Sequence, residues 1–467
     1  MSQVEAIREA FAHHQAGDLD RAQKGYRRIL DADPECAEAW HLLGALALQT
    51  GDATAAVDRL GRAVKCDRRN PQYRYNYAVA LQASDRLQDA AQQLRQAKKL
   101  DPTAFDVLNN LGLVEKELGR LDEAVDALRA ATEAAPTNAV GYNNLALALA
   151  AQGNATEAET ILRRAIALAP DYPEAHNNLG TALRKQGRND EAETAFRHAL
   201  TLRPDYPTAL FNLAGTLHAA GRMQEAAEQY RALLDIQPGH ASARHLLNAL
   251  EGAPVETAPA DYVAHLFDGY ADHFESHLVG ALGYEAPQVM RRVWDETGRS
   301  LSKDARTVDL GCGTGLCAQA FGDLGRTLIG IDLSTRMVNE ASEGGLYGEV
   351  VQGDAVGYLE GAETGIELAL AGDVLIYLGD PRLLLRVLAK KLAPGGVFIC
   401  SIESTDKPDF ILRETGRFAH NPDDLEAAAE AVGLVPLTRR ACQIRLGTDG
   451  TPIDGFIVAL ARPEQTD

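Results

Sequence analysis

The sequence predicts two folds in one chain, an all-helical repeat array over residues 1–252 and an α/β domain over residues 261–467, joined by a linker at 253–260. Three observations predict this. Small and turn-forming residues recur every 34 positions through the first half. Residues 306–332 read as a short apolar strand, a glycine-rich turn, a helix and a second strand ending in a carboxylate. Between them, Glu251–Ala260 is rich in proline, alanine and glycine.

The repeat comes first. Alanines stand at 22, 56, 90, 124, 158, 192 and 226, and glycines at 17, 51, 119, 153, 187 and 221, with Asp85 in the one missing place. Prolines stand at 34, 102, 136, 170, 204 and 238, with Arg68 in their gap. Glycine suits the left-handed residue that ends the first helix of a pair. Alanine suits a close approach of two helices, and proline stops the second helix. Period and composition are those of the tetratricopeptide repeat (TPR). Seven repeats are predicted, starting near residues 3, 37, 71, 105, 139, 173 and 207, with a capping helix at Ala241–Leu250 to cover the last apolar face.

A polar column runs through the same array: Asn76, Asn110, Asn144, Asn178 and Asn212. Asparagine is a poor residue inside a helix, so its recurrence needs a reason. One is local hydrogen bonding. The other is a row of carboxamides on the concave face, able to donate to and accept from an extended peptide. The column resembles the asparagine ladder of the O-linked N-acetylglucosamine transferases, which implies a protein or peptide partner in the groove. Tyr75, Val79, Leu113, Leu147 and Thr181 stand where chaperone-tail clamps carry their ligating residues, so chaperone C-termini are not expected ligands.

Composition limits the rest. A net charge of −20 disfavours non-specific attraction to nucleic acid or anionic membrane. Six cysteines are scattered without Cys-x-x-Cys spacing and read as small buried residues in a reducing compartment. The first residues lack the apolar core of a signal peptide, and no run of 18 apolar residues occurs, so a soluble cytoplasmic protein is expected.

The linker reaches at most about 35 Å. After it, Tyr262, Phe267, Tyr270 and Phe274 are spaced for helical stripes and either pack on the sheet domain or cover a ligand. His273 and His277 have i,i+4 spacing but no third ligand in view, so no metal is assigned.

In Asp309-Leu-Gly-Cys-Gly-Thr-Gly315 the three glycines, Gly311, Gly313 and Gly315, let the backbone approach a ligand, and Asp332 at the tip of the second strand is placed to accept from ribose hydroxyls. The spacing differs from the G-x-G-x-x-G of NAD enzymes. It resembles motif I of the class I S-adenosylmethionine (SAM) methyltransferases. Val350–Ala355, Glu367–Leu375 and Leu392–Ile399 resemble the third, fourth and fifth strands of that family, so the match runs from about residue 262 to 465. It implies a Rossmann-like seven-stranded domain that binds SAM. By that resemblance Asp309 faces the methionine amino group, Asp332 the ribose and Asp354 the adenine. Cys312, Leu333, Ala355, Asp373, Tyr262 and Tyr270 are further expected cofactor contacts.

Beyond the fifth strand, Asp406–Phe418 reads as an irregular insertion, Asp423–Val432 as a helix, and Leu434–Leu446 with Ile453–Ala461 as a hairpin. Arg417-Phe-Ala-His420 also resembles a stretch recurring in predicted methyltransferases fused to TPRs. Methyl transfer from a sulfonium needs alignment and exclusion of water more than covalent help. Asp373 and Tyr377, just after the fourth strand, are the first candidates for acceptor contact, with His420 and Glu403 second. No Asn/Asp-Pro-Pro-Tyr/Phe motif follows that strand, which disfavours a DNA-base or glutamine acceptor. Three functions stay open: methylation of a partner recruited by the repeats, methylation of a small acid or metabolite, and a noncatalytic scaffold.

Overall fold

The computed structural model describes residues 2–271, 274–322, 328–447 and 450–464, which form two compact units, Met1–Arg222 and Met223–Asp467.

The first unit consists of helix pairs that begin where the repeat count puts them. They are α1 (Gln3–Gln15) with α2 (Leu19–Ala32), α3 (Ala37–Gln49) with α4 (Ala53–Cys66), α5 (Pro71–Gln82) with α6 (Leu87–Leu100), and α7 (Phe105–Glu117) with α8 (Leu121–Ala134). Next come α9 (Ala139–Ala151) with α10 (Ala155–Leu168), α11 (Pro173–Lys185) with α12 (Asn189–Leu202), and α13 (Pro207–Ala219). Each glycine of the column has φ between 74° and 87°, and Asp85 in the vacant place takes φ 57°. That left-handed turn is the reason for the column. The seven column alanines are fully buried.

Inside the helices glycine serves packing. A Cβ on Gly112 would overlap Leu128 Cγ and lie 3.0 Å from the Ala124 carbonyl oxygen. Alanine is the better helix former by about 1 kcal/mol, but overpacking against a backbone atom costs about 1–3 kcal/mol. Gly112→Ala is therefore expected to lower the thermal midpoint; an unchanged or raised midpoint would mean that α7 and α8 can separate freely.

The asparagines form rungs between repeats. Asn144 Nδ2 donates to Asn109 Oδ1 (2.9 Å), Asn178 Nδ2 to Asn143 Oδ1 (2.8 Å) and Asn212 Nδ2 to Asn177 Oδ1 (3.0 Å). Asn76 meets His41 Nε2 at 2.5 Å, while Asn110 faces a repeat with Tyr75 in the partner position and forms no such rung. The bonds therefore join first helices of successive repeats rather than closing locally.

The second unit opens with α14 (Met223–Ile236) and the cap α15 (Ala241–Glu251), followed by α16 (Ala260–Tyr270) and α17 (Ala286–Glu296). Seven strands form one sheet: β1 (Arg306–Leu310), β2 (Leu328–Asp332), β3 (Glu349–Gln352), β4 (Ile366–Ala371), β5 (Leu392–Glu403), β8 (Val435–Leu446) and β9 (Pro452–Ala461). Their order is β3-β2-β1-β4-β5-β9-β8, parallel except for β9 and β8. The helices α18 (Leu316–Ala320), α19 (Thr335–Gly344), α20 (Ala355–Gly361), α21 (Arg382–Lys391) and α22 (Pro422–Glu430) follow the sheet strands in turn. The central strands are buried on both faces, as a parallel sheet under helices requires.

The stretch expected to be irregular after β5 contains a small antiparallel hairpin, β6 (Phe410–Leu412) with β7 (Phe418–His420). Three-residue strands carry too little alternation to register in a sequence. The linker is tied down: Thr257 bridges to Leu378, and the Asp380 amide donates to the Glu256 carbonyl at 2.8 Å. Among the described residues, no helix is long and apolar enough to cross a membrane.

Candidate active site

The strand order reverses between β1 and β4, and a crevice opens at the carboxyl ends of the strands there, as it does in open α/β sheets generally. In this unit it deepens to a cavity of about 350 Å³. One side is lined by Gly311, Gly313, Asp332, Leu333, Asp354 and Ala355, the other by Asp373, Tyr377, Arg417 and Arg445, and Phe267, Tyr270 and Phe274 line it from the preceding segment.

The glycine turn is shaped by two demands. Gly311 has φ 69°, and a Cβ there would sit 2.5 Å from Val374 Cγ2, so the turn after β1 packs directly on the chain leaving β4. Gly313 has φ 53° and lies under Phe274, whose ring carbons would be 3.5–3.6 Å from a Cβ. The Gly313 amide donates to Asp332 Oδ2 and the Ser334 amide to Oδ1, each at 2.9 Å. Burial raises the Asp332 pKa, and these N–H donors work against that rise. The carboxylate is thereby aimed at the cavity with lone pairs left over. Ser334 caps α19 and donates from Oγ to Asp268 Oδ1 at 2.6 Å, which ties α16 to the same turn. Asp354 caps α20 through the Gly357 amide at 2.7 Å.

Asp309 stands apart. It is fully buried, does not line the cavity, and accepts the Tyr347 hydroxyl at 2.6 Å on Oδ2. Its Oδ1 has only the Cys317 thiol beside it, a weak donor. Burial raises its pKa to about 7, the Tyr347 hydrogen bond acts downward, and the Asp332 charge adds to the rise. Cys312 also turns inward, among Ala318, Leu328, Ala341 and Tyr347. Gly315 begins α18 with φ 106°.

Opposite the turn, Asp373 is held in an uncommon backbone conformation, φ 56°. Its amide donates to Ser401 Oγ (2.7 Å), Ser401 donates back to Oδ1 (3.2 Å), and Arg445 Nη1 donates to Oδ2 (2.5 Å). Arg445 is 1% exposed and spends its other terminal nitrogen on Glu403, which also has Arg413 Nε at 3.7 Å. Tyr377 is buried, with its ring edge-on to Phe267 at 5.6 Å and its hydroxyl beside the Arg417 guanidinium.

Sequence reading named Asp373 and Tyr377 for this side of the cavity, and both line it. His420 does not. It is buried, and its Nε2 bonds the Leu378 and Gly379 carbonyls at 2.8 and 3.0 Å, while burial lowers its pKa. Tyr262 also lies off the cavity wall, its ring tilted against His245 with centroids 5.0 Å apart, whereas Tyr270 lines the wall. His273 lies outside the described residues. Arg445, Ser401 and Tyr347 were not singled out; each owes its place to a partner between 28 and 72 residues away.

A family model described as a methyltransferase domain matches residues 308–400. Tetratricopeptide repeat models match 112–153, 137–205 and 177–241, and one described as the TPR domain of a cytochrome c-type biogenesis protein H matches 6–131. Among curated relatives, the ubiquinone biosynthesis O-methyltransferase of Caulobacter sp. is 32% identical over 22% of this chain and 43% of that protein. The proteins of that name from Dinoroseobacter shibae and Rhizobium etli are 26% and 31% identical over 32% and 28% of this chain, and over 71% and 59% of their own lengths. The chain thus spans less than half of the Caulobacter protein and about six tenths of the Rhizobium one. Similar solved structures include a tetratricopeptide repeat protein from Parabacteroides merdae, with TM-score 0.45 and 16% identity over 53% of this chain and 98% of that one. YrrB, described as a TPR protein with an unusual peptide-binding site, has TM-score 0.34 and 25% identity over 41% and 98%. The chain joins an array of tetratricopeptide repeats to a Rossmann-like methyltransferase domain with a seven-stranded sheet.

Proposed function

We propose that the C-terminal unit is a SAM-dependent methyltransferase whose acceptor is a small molecule reacting at oxygen, and that the repeats hold a protein partner. The observation that carries this is one cavity with two chemically distinct sides. The glycine turn, Asp332, Leu333, Asp354 and Ala355 would hold the donor: Asp332 has lone pairs free for ribose hydroxyls, and Asp354 keeps one oxygen outside its helix cap. When bound, SAM supplies an electrophilic methyl group on sulfur. The chain's own contribution is position and dryness. Phe267, Tyr270 and Phe274 exclude water from one wall, and Tyr377 and Asp373 orient the acceptor from the other. Both Asp373 oxygens are engaged, so it acts as a fixed hydrogen-bond acceptor. No proton transfer is assigned to His420, whose ring lies off the cavity. An oxygen acceptor is what the likeness to O-methyltransferases supports.

A second reading, methylation of the protein partner itself, is favoured by the rungs. Each uses one N–H of Asn144, Asn178 or Asn212 and fixes the carboxamide while leaving its other donor for a peptide. Tritiated SAM added to lysate with the whole chain separates the two: label in small molecules supports the first, and a labelled protein band the second.

Calorimetry tests the cofactor. The chain is expected to bind SAM and not NAD, and Asp332→Ala to weaken SAM binding by about 1.5–3 kcal/mol through lost charge-assisted hydrogen bonds. Tight NAD binding without SAM binding would remove the assignment.

A further inference from the structure

We propose that the acceptor is a small carboxylate, with its anionic group docked on Arg417; this rests on the methyltransferase reading above. Arg417 lies in the tight turn between β6 and β7. The Arg413 amide donates to the Arg417 carbonyl at 2.8 Å, and Gly416 before it takes φ 77°. The turn is held from below by α15, where His245 Nε2 bonds the Gly416 carbonyl at 2.9 Å. The guanidinium is therefore carried on a braced loop rather than a loose one.

Its charge is only partly answered. Around this side of the cavity three guanidiniums, Arg413, Arg417 and Arg445, meet two carboxylates, Asp373 and Glu403. Arg445 binds both carboxylates and Arg413 flanks Glu403. Among the described residues, Arg417 forms no ion pair; its partner is the Tyr377 hydroxyl, and it lines the cavity. Burial alone would lower its pKa, and Tyr377, Glu403 and Asp373 more than reverse this, so the group stays a cation. A planar fork of parallel N–H donors matches a carboxylate in geometry and charge, and a low-dielectric surround strengthens the pair. The adjoining wall, Val263, Phe267, Tyr270 and Ile376, is apolar and aromatic, which suits a flat hydrocarbon body behind that carboxylate.

The test uses the full chain saturated with S-adenosylhomocysteine, titrated with benzoate, with neutral benzamide, and with an N-acetylated tetrapeptide ending in a free carboxylate. Benzoate is expected to bind about tenfold or more tightly than benzamide, and more tightly than the peptide. Arg417→Met should bring benzoate and benzamide within about twofold of each other, and Arg417→Lys, which keeps the charge but not the fork, should fall between. Affinity for S-adenosylhomocysteine should be the same in all three proteins. Equal binding of benzoate and benzamide, absence of benzoate binding, or a preference retained in Arg417→Met overturns the proposal. So does a loss of S-adenosylhomocysteine affinity in Arg417→Met, which would put this residue on the cofactor's own carboxylate. Tighter binding of the peptide overturns the small-molecule part. A wild-type chain that fails to bind S-adenosylhomocysteine removes the methyltransferase reading itself, an outcome distinct from the others.

Discussion

Replacing Arg445 by methionine is expected to destabilise the C-terminal unit by about 3–5 kcal/mol, because buried Glu403 and cavity-lining Asp373 then lose their common partner. Glu403 is 2% exposed and would keep Arg413 at 3.7 Å, Asp373 would keep Ser401, and the Arg417 charge would answer both only at longer range. Methionine fills much of the same space, so lost packing is the smaller part of the effect. Urea unfolding at neutral pH measures the loss. Acidification should recover part of it, since an unpaired buried carboxylate prefers to be protonated. Arg445→Met combined with Asp373→Asn and Glu403→Gln should regain most of the stability. A single variant within about 0.5 kcal/mol of the parent would mean that water replaces the guanidinium fully.

The second large effect is a pH dependence written into Asp309. Its pKa rises from 3.8 to about 7 on folding, so the folded chain holds a proton that the unfolded chain has already released. Stability from this source is fully present below the unfolded value and is lost as pH rises toward 7. The whole swing is about 4 kcal/mol. Asp332, raised by the same burial, acts in the same direction. Glu159 and Glu193 act in the opposite one, since hydrogen bonds from Gln186 and arginines at the first and from arginines at the second outweigh burial and lower their pKa, so the difference between variants is the quantity to read. Asp309→Asn should gain on the parent steadily from pH 4 to pH 7, and by pH 8 be the more stable protein. Parallel stability curves over that range would show that Asp309 ionises freely in the fold.

What could be read without coordinates follows from which contacts are local. The turn glycines at 17 and 51, the buried alanines at 22 and 56, and the asparagine capping α22 answer to neighbours within a helical turn or one repeat, so spacing reveals them. The glycine turn with Asp332 is legible for the same reason: one βαβ unit holds the whole device. Arg445 is not. Along β8 alternate residues from Val435 to Gln443 face solvent, and strict alternation would put Arg445 with them. A register shift between Gln443 and Arg445 turns it inward instead, beside Ile444. Bulges leave little trace in composition. The chemistry plausible at Tyr262 and His420 points to the cavity, but helix phase and a three-residue strand turn both toward backbone and ring partners off it.

The ties between α15, the linker and the cavity walls bear on how the gene can be dissected. By repeat counting the array ends at residue 252, and cutting there looks natural. Yet His245 braces the turn that carries Arg417, Leu246 lies against Gly416, and Glu256 and Thr257 are stitched to the chain leaving β4. A fragment begun at 253 would leave the cavity wall that carries Arg417 without its backing, and one begun at Met223 would keep it. Proteases should likewise spare the Pro/Ala/Gly stretch that composition marks as the weak point. The methyltransferase domain is best expressed and engineered together with α14 and α15.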